Sequence, residues 1–409
     1  MICDQNTEAI ESLLSSKDAI ECHQLSIQDQ SLLEPLIKSV DIVVSLLPAF
    51  LHVQIAEKCL EFNKHLATAS YISPQMRDLH EAANAKGLVF LNEMGLDPGI
   101  DHMSAMCLFD QIHAKGGEIT GFKSFCGGLV ADEDDGDNPW RYKFSWNPRN
   151  VVLAAQGGDA HFLKDGQEMV LTYQEVFDQI ELIDVPGYGP LEAYANRDSL
   201  SYIQLYGLEG VNDLIRGTFR KPGYCKAWQT LIQFGLTDDQ IHLSLPPTTT
   251  LSMFYQQVSG LTYQNTLALN SLLNGDQALL QKLLYIGFMS DDVLDKTTGT
   301  AASILESILV KKWMLCPQDK DLVIMLHDVA YTLNGQTHHQ YSSLVLKGED
   351  AHRTAMAKTV GLPLAIGVKM ILEGRMHETG VLAPMHKSIY EPVMLELSSL
   401  GIVFNESHT

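Results

Sequence analysis

Phe90-Leu-Asn-Glu-Met-Gly-Leu-Asp-Pro-Gly-Ile-Asp-His-Met-Ser-Ala-Met106 is the stretch whose reading decides the fold. A short apolar run, Leu88 to Leu91, ends in a polar turn carrying Gly95 and Gly99, and an amphipathic run follows from Ile100. That order reads as strand, sharp turn, helix. It sets Asp97-Pro98 where side chains leave the carboxyl end of a strand, which is where ligands bind in open α/β sheets.

Upstream, the same alternation repeats. Ile2-Cys3-Asp4 reads as the tail of a strand, Thr7 to Ser16 as a helix and Ala19 to Leu25 as extended chain. Gln28 to Lys38 is helical, and Asp41 to Leu47 is a buried strand, rich in β-branched residues, that Pro48 ends. A helix from His52 to Asn63, a strand from His65 to Ala69 and a helix from Pro74 to Lys86 complete the series. Connections this short between alternating elements predict a parallel, doubly wound sheet. A dinucleotide-binding half would open with a strand and G-x-G-x-x-G, and the chain has no such motif. The expectation is therefore an α/β, doubly wound Rossmann-type domain that is amino-terminally truncated, lacking its first strand and glycine-rich loop. Asp4 is then either the acid that holds a cofactor ribose or the N-cap of the following helix.

From Glu118 the rhythm changes to longer extended segments: Ile119 to Phe125, Met169 to Tyr173, Glu181 to Val185 and Leu214 to Phe219. Ala131 to Asp137 is an acidic loop that reads as a solvated tip. Cys225 to Trp313 is helical, Leu322 to His327 and Ser342 to Leu346 flank an Asn334-Gly335 hairpin turn, and two helices precede a last strand at Ile402 to Phe404.

At 409 residues the chain is long enough for two or three domains. It carries 28 basic against 50 acidic residues, a net charge of -22, which argues against nucleic acid and anionic membranes as partners. Its mean hydropathy of -0.01 suits a soluble globular protein. Seven scattered cysteines with no C-x-x-C pair read as reduced thiols. No apolar run of about 18 residues is apparent, so no membrane helix is expected.

The polar residues at strand ends are the candidates for chemistry: Ser45 with Pro48, Ser70 with Tyr71, Asp97, and Cys126-Gly-Gly128. Singly each reads as turn chemistry; together they line the cleft side of a doubly wound sheet. Arg197 and Arg220 are either surface ion pairs or anchors for a substrate with several carboxylates, since guanidinium forks match carboxylates. Pro139 to Pro148, with alternating aromatics, is a pocket wall or the face of a strand. Gly116 to Ser124 misses the P-loop by an extra Phe122, Asp101-His102 reads as a first-turn pair, and His338-His339 reads as hairpin residues and not a metal pair.

Several long motifs carry a family resemblance: Thr68-Ala-Ser-Tyr71, Gly95-Leu-Asp-Pro-Gly-Ile-Asp-His-Met103, Phe125-Cys-Gly-Gly128, Asp137-Asn-Pro-Trp-Arg-Tyr-Lys-Phe-Ser-Trp146, Asn196-Arg-Asp-Ser199 and Ala355-Met-Ala-Lys-Thr-Val-Gly-Leu-Pro363. From about Cys3 to the carboxyl terminus the chain resembles the saccharopine dehydrogenase family. The resemblance implies a Rossmann-type domain over residues 1–117, completed by 351–409, with an inserted mixed α/β substrate domain over 118–224 and 320–350 and a helical subdomain over 225–319. It implies oxidation of saccharopine to L-glutamate and 2-aminoadipate 6-semialdehyde. Carried over by position, Ser70, Tyr71, Asp97, Arg197, Thr218, Phe219 and Arg220 would contact saccharopine, and Asp4, Ser45, Leu46, Leu47, Pro48 and Gly99 would lie along the cofactor. Tyr71, Asp97 and Cys126 are the candidates for proton transfer. Lys221 stands where the family often has tyrosine, at the expected rim of the site.

An acid at position 4 would repel a 2′-phosphate, so NAD is expected ahead of NADP; no metal is expected. The implied partners are saccharopine, a second copy in a homodimer, and a fused or paired lysine-ketoglutarate reductase domain. The implied compartment is the mitochondrial matrix, or otherwise the cytoplasm. Two other readings stand beside this one: a related reductase acting on another amine–carbonyl pair, and a catalytically silent fragment.

Overall fold

The computed structural model describes residues 1–11, 14, 20–196 and 198–408. The chain divides into two compact units, Met1–Ile100 with Gly361–Val393, and Asp101–Val360 with Met394–Thr409.

In the first unit, β1 (Ile2–Asp4) pairs in parallel with β2 (Cys22–Gln24) as a two-stranded sheet. A four-stranded parallel sheet takes β3 (Ile42–Val44), β4 (His65–Ala67), β5 (Val89–Leu91) and Gly380–Leu382 in that spatial order. The helix His52–Phe62 buries Ile55, Ala56 and Cys59, residues one turn apart on a single stripe, against Leu66, Phe90 and Val381. Asn63 stops this helix in the left-handed conformation, φ 53°. The helix expected from Pro74 to Lys86 is broken into Pro74–Arg77 and His80–Ala85. Ser73 caps the first piece, and Leu79 N–H turns back to Met76 O, tightening the chain to three residues per turn.

The second unit is built on a nine-stranded mixed sheet. Its centre is Glu118–Val130, parallel to Asp213–Arg220 on one side and antiparallel to Asp321–Leu333 on the other. That central strand runs on past Phe125 through Gly127 and Gly128. A Cβ at Gly127 would lie 2.9 Å from both the Cβ and the carbonyl oxygen of Phe219, so glycine is what lets the neighbouring strand approach this closely. The hairpin Asp321–Leu333 to Gln336–Lys347 turns at Asn334 (φ 53°) and Gly335 (φ 77°), both left-handed, as a two-residue turn that matches strand twist requires. The helical stretch after Tyr224 is punctuated by side-chain N-caps, Thr250, Asn265, Asp276 and Thr300, each accepting from an N–H three residues on. Trp140, Trp228 and Trp313 sit fully buried in its core. The alternating segment Pro139 to Pro148 forms no strand; Trp140, Tyr142 and Phe144 enter that core.

Three expectations change here. The last strand is Asn405–His408, just beyond Ile402 to Phe404. The helix Ala355–Leu372 is long and apolar enough by length and composition to cross a membrane, but 44 % of it is buried and Pro363 lies inside it, which suits a core helix. The acidic loop is not a free tip. Asp135 is 8 % exposed, and the Nζ of Lys221, itself 1 % exposed, lies 3.1 Å from both its oxygens and 2.6 Å from Asp132. Lys221 is thus an internal counter-ion and not a rim residue.

The turn after β5 closes on itself: Gly95 N–H donates to Pro98 O at 2.9 Å, and Ile100 N–H to Gly95 O at 2.9 Å. The Asp97–Pro98 peptide is cis, and Gly99 has φ +144°. A Cβ on Gly99 would collide with the backbone of Gly95. We expect Gly99→Ala to destabilise the chain by about 2–4 kcal/mol, because both the dihedral and the space exclude a methyl group. Urea denaturation of the two proteins checks this.

Candidate functional site

The carboxyl ends of β3, β4 and β5 are knitted by backbone bonds that continue the sheet one step further. Ser45 N–H donates to Ala67 O at 2.9 Å, and Thr68 N–H to Leu91 O at 2.9 Å. Beyond them, Glu93 N–H reaches Ser70 O at 3.0 Å, and the Glu93 carboxylate accepts from Ile72 N–H at 3.0 Å. Tyr71 O–H donates to Asp97 Oδ1 at 2.8 Å, tying the loop after β4 to the turn after β5. Tyr71 is exposed and Asp97 half-buried, at the edge of the first unit. Ser45, Ser70, Tyr71, Asp97 and Gly99 are therefore brought together on one edge of the first unit. Leu46 is 71 % exposed and Pro48 is exposed beside the buried Ser45, with Leu47 half-buried. Apolar side chains held at strand carboxyl ends suit the flat faces of a dinucleotide.

The motif reading passes over His52. It is 3 % exposed, with Nδ1 at 2.8 Å from Ser45 Oγ and Nε2 at 2.7 Å from Ser70 Oγ. Burial lowers its pKa and keeps the ring neutral. The signal open to a sequence reader is slight: a histidine opening a helix four residues after a strand-ending proline.

Asp4 ends β1 exposed, and its Oδ1 accepts from Asn6 N–H at 2.8 Å. The carboxylate is turned into its own loop, as an Asx turn, and is not held outward for a ribose.

In the second unit, Cys126 pairs with Thr218 across the parallel ladder, and Thr218 with Tyr194 across the next. Cys126 is 8 % exposed, and Phe219, alternating to the opposite face from its neighbours, is fully buried core. Arg220 is 3 % exposed. Its guanidinium carbon stands 5.3 Å from the ring centres of Tyr142 and Tyr224 and 5.8 Å from that of Tyr194. Its only hydrogen bond among the described residues is NH1 to Phe219 O, at 2.9 Å, and its Nε has no partner. Burial opposes the charge, but the three tyrosines outweigh it and raise the pKa. Arg197 lies outside the described residues. Among those described, no group of three or more His, Cys, Asp or Glu is placed to hold a metal.

Asp101 and His102 open the helix Ile100–Ala114 in a buried network: Asp101 Oδ2 accepts from Arg216 at 2.7 Å, and His102 Nδ1 lies 2.7 Å from Tyr206 Oη. One turn on, Ser104 Oγ meets His327 Nε2 at 2.7 Å. Phe404 stacks on His327 at 5.9 Å.

Two family models cover almost the whole chain: a saccharopine dehydrogenase NADP-binding domain over residues 1–91 and a saccharopine dehydrogenase C-terminal domain over residues 95–402. The first model is matched from residue 1, so it lends no support to the expected loss of an initial strand and loop. The chain is 34 % identical over 97 % of its length to the mitochondrial alpha-aminoadipic semialdehyde synthase of Mus musculus, and spans 44 % of that protein. It is 33 % identical over 91 % of its length to the saccharopine dehydrogenase [NADP(+), L-glutamate-forming] of Pyricularia oryzae, covering 85 % of it. The apo saccharopine dehydrogenase (L-Glu forming) of Saccharomyces cerevisiae matches with TM-score 0.88 at 29 % identity, over 100 % of this chain and 93 % of that one. Homospermidine synthase of Legionella pneumophila shares the fold at TM-score 0.51 and 10 % identity. The model description and the fungal name both specify NADP, which overturns the expectation of NAD drawn from Asp4. The inference failed because it required that carboxylate to face a ribose, and the structure turns it into a local bond.

Complete burial lowers the His327 pKa to about 4. Between that value and the ordinary histidine value of about 6.5 the unfolded chain binds a proton that the folded chain refuses, so stability rises with pH across this window. The contribution is intact above about pH 6.5 and is lost as pH falls toward 4, by up to about 3 kcal/mol. Denaturation at pH 7 and pH 4.5 should show the acid-side loss shrink in His327→Asn, even though that variant starts less stable.

Proposed function

We propose that this chain, which belongs to the saccharopine dehydrogenase family, oxidises saccharopine with NADP and releases L-glutamate and 2-aminoadipate 6-semialdehyde. The observation that carries the reading is Arg220, a charged guanidinium buried among Tyr142, Tyr194 and Tyr224 with no carboxylate partner among the described residues. An unpaired buried charge is costly. A substrate with three carboxylates supplies the missing anion, and a guanidinium fork binds it bidentately.

Ser45, Leu46, Leu47, Pro48 and Gly99 would hold NADP at the strand ends, where it would supply an acceptor for the hydride on the carbon beside the secondary amine. The remaining work belongs to side chains. The amine must reach the site without its proton, water must add to the resulting imine carbon, and a proton must pass to nitrogen as the carbon–nitrogen bond breaks. Tyr71 O–H donates to Asp97 across 2.8 Å, an arrangement suited to taking up a proton and returning it. Cys126 is the other candidate. Ser70 and Thr218 contribute hydroxyls that orient the substrate, and Arg197 a second cation. Anchoring the carboxylates fixes the reacting carbon, and positioning of this kind lowers a barrier by several kcal/mol.

The fused or paired lysine-ketoglutarate reductase domain and the homodimer belong to the same reading. So does a mitochondrial location, which rests on names such as that of the mouse relative.

Saccharopine-dependent reduction of NADP+, followed by absorbance beside a parallel reaction with NAD+, tests the proposal. Turnover with NADP+ supports it; saccharopine binding without turnover points to a silent chain. Arg220→Ala should raise the saccharopine KM by about a hundredfold and leave the NADP+ KM unchanged, because it removes a charge-assisted anchor of about 3 kcal/mol. Equal loss of both affinities refutes the assignment.

A further inference from the structure

Ser45, His52 and Ser70 form a chain of three polar side chains whose hydrogens can be assigned from burial alone. His52 Nδ1 faces Ser45 Oγ at 2.8 Å and Nε2 faces Ser70 Oγ at 2.7 Å. A neutral imidazole carries one N–H and one bare nitrogen, so one serine donates to the ring and the other accepts from it. His52 is the first residue of the helix His52–Phe62, where the helix dipole disfavours a cation, and this too holds the ring neutral.

Burial decides which serine does which. Ser45 is 3 % exposed, and among the described residues its hydroxyl has no hydrogen-bond partner other than His52. If Nδ1 carried the proton, the Ser45 hydroxyl hydrogen would be buried with no acceptor, a loss that native structures rarely tolerate. Ser45 therefore donates to a bare Nδ1. The ring proton then sits on Nε2 and is given to Ser70 Oγ. Among the described residues, Thr68 Oγ1 makes the only opposing demand on Nε2, from 3.5 Å, at the outer limit of a hydrogen bond, and it already accepts from Ser70 N–H at 3.3 Å. The 2.7 and 2.8 Å contacts prevail.

The consequence falls on Ser70. With one lone pair taken up by the ring, its own O–H is left to point away from the core, and the residue is half-buried at the edge of the site. We propose that His52 is a positioning residue which, held in one tautomer by Ser45, fixes the Ser70 hydroxyl as an outward proton donor to an anionic oxygen of the substrate. The identity of that oxygen as a saccharopine carboxylate rests on the functional reading above; the tautomer does not.

The test uses the full chain with 15N-labelled histidine. In the ligand-free protein at neutral pH, the His52 signal should show a protonated Nε2 and a bare Nδ1. A ring protonated at Nδ1, or at both nitrogens, overturns the proposal. Kinetics then read the consequence. His52→Leu should raise the saccharopine KM about ten- to hundredfold, the worth of a hydrogen bond to a charge, with a smaller change in kcat. His52→Gln should restore most of that affinity, because its amide nitrogen reaches the Nε2 position and still donates to Ser70. In the double variant of His52→Leu with Ser70→Ala, the loss should equal that of Ser70→Ala alone; multiplied losses would mean that His52 acts structurally and would refute the idea. A chain with the expected tautomer that binds no saccharopine leaves His52's role standing and removes the functional reading instead.

Discussion

The closing bond of the Gly95–Gly99 turn is the constraint on which the first unit depends. Gly95 N–H and Gly95 O are both engaged within five residues, by Pro98 O and Ile100 N–H. That double closure leaves no room for a side chain at Gly99. It holds Asp97 at the crest of the turn, half-buried, within one hydrogen bond of Tyr71. The adjacent strand end is fixed in turn, since Glu93 reaches Ser70 and Ile72 and so locks the loop after β4 to the loop after β5. Rigid placement by backbone bonds is what a site on loops requires, because loops left to themselves wander.

The architecture of the first unit was legible because its signals are local. A β-branched run ended by proline at Pro48, a glycine pair around Asp97-Pro98 and apolar residues at helical spacing (Val53, Ile55, Ala56, Leu60) are all readable within a few residues. What could not be read involves distance along the chain. Lys221 and Asp135 are 86 positions apart, so an acidic run whose counter-ion comes from another strand looks like a solvated tip. Ile119 to Phe125 reads as the central strand, yet the strand runs on through Gly127, whose missing side chain leaves room for Phe219 of the neighbouring strand. Ser45 and Ser70 stood out singly as strand-end residues; that one imidazole joins them follows from β3 and β4 being neighbours in the sheet.

Asp4 shows the opposite failure, in which a local feature was given a distant meaning. An acid at a strand end carries information about a cofactor only when its oxygens face the ligand, and here one is occupied by Asn6 two residues on. The pattern was present and the geometry was not. Arg220 was chosen on residue type and context; the structure supplies the aromatic enclosure and the absent counter-anion that make it different from an ordinary surface arginine.

Arg216, Arg220 and Lys221 lie within six positions of one another, and all are buried in a chain with a net charge of -22. The far field is set by the net charge of -22, which outweighs these three cations at a distance. At long range the molecule repels anions, and attraction begins only at contact. Added salt shortens the reach of the repulsion to about 8–10 Å at ionic strengths near 0.1 M, whereas a desolvated guanidinium is screened far less. Anionic ligands would then be captured faster in moderate salt than in its absence, the reverse of the behaviour of sites that steer their ligands by surface charge.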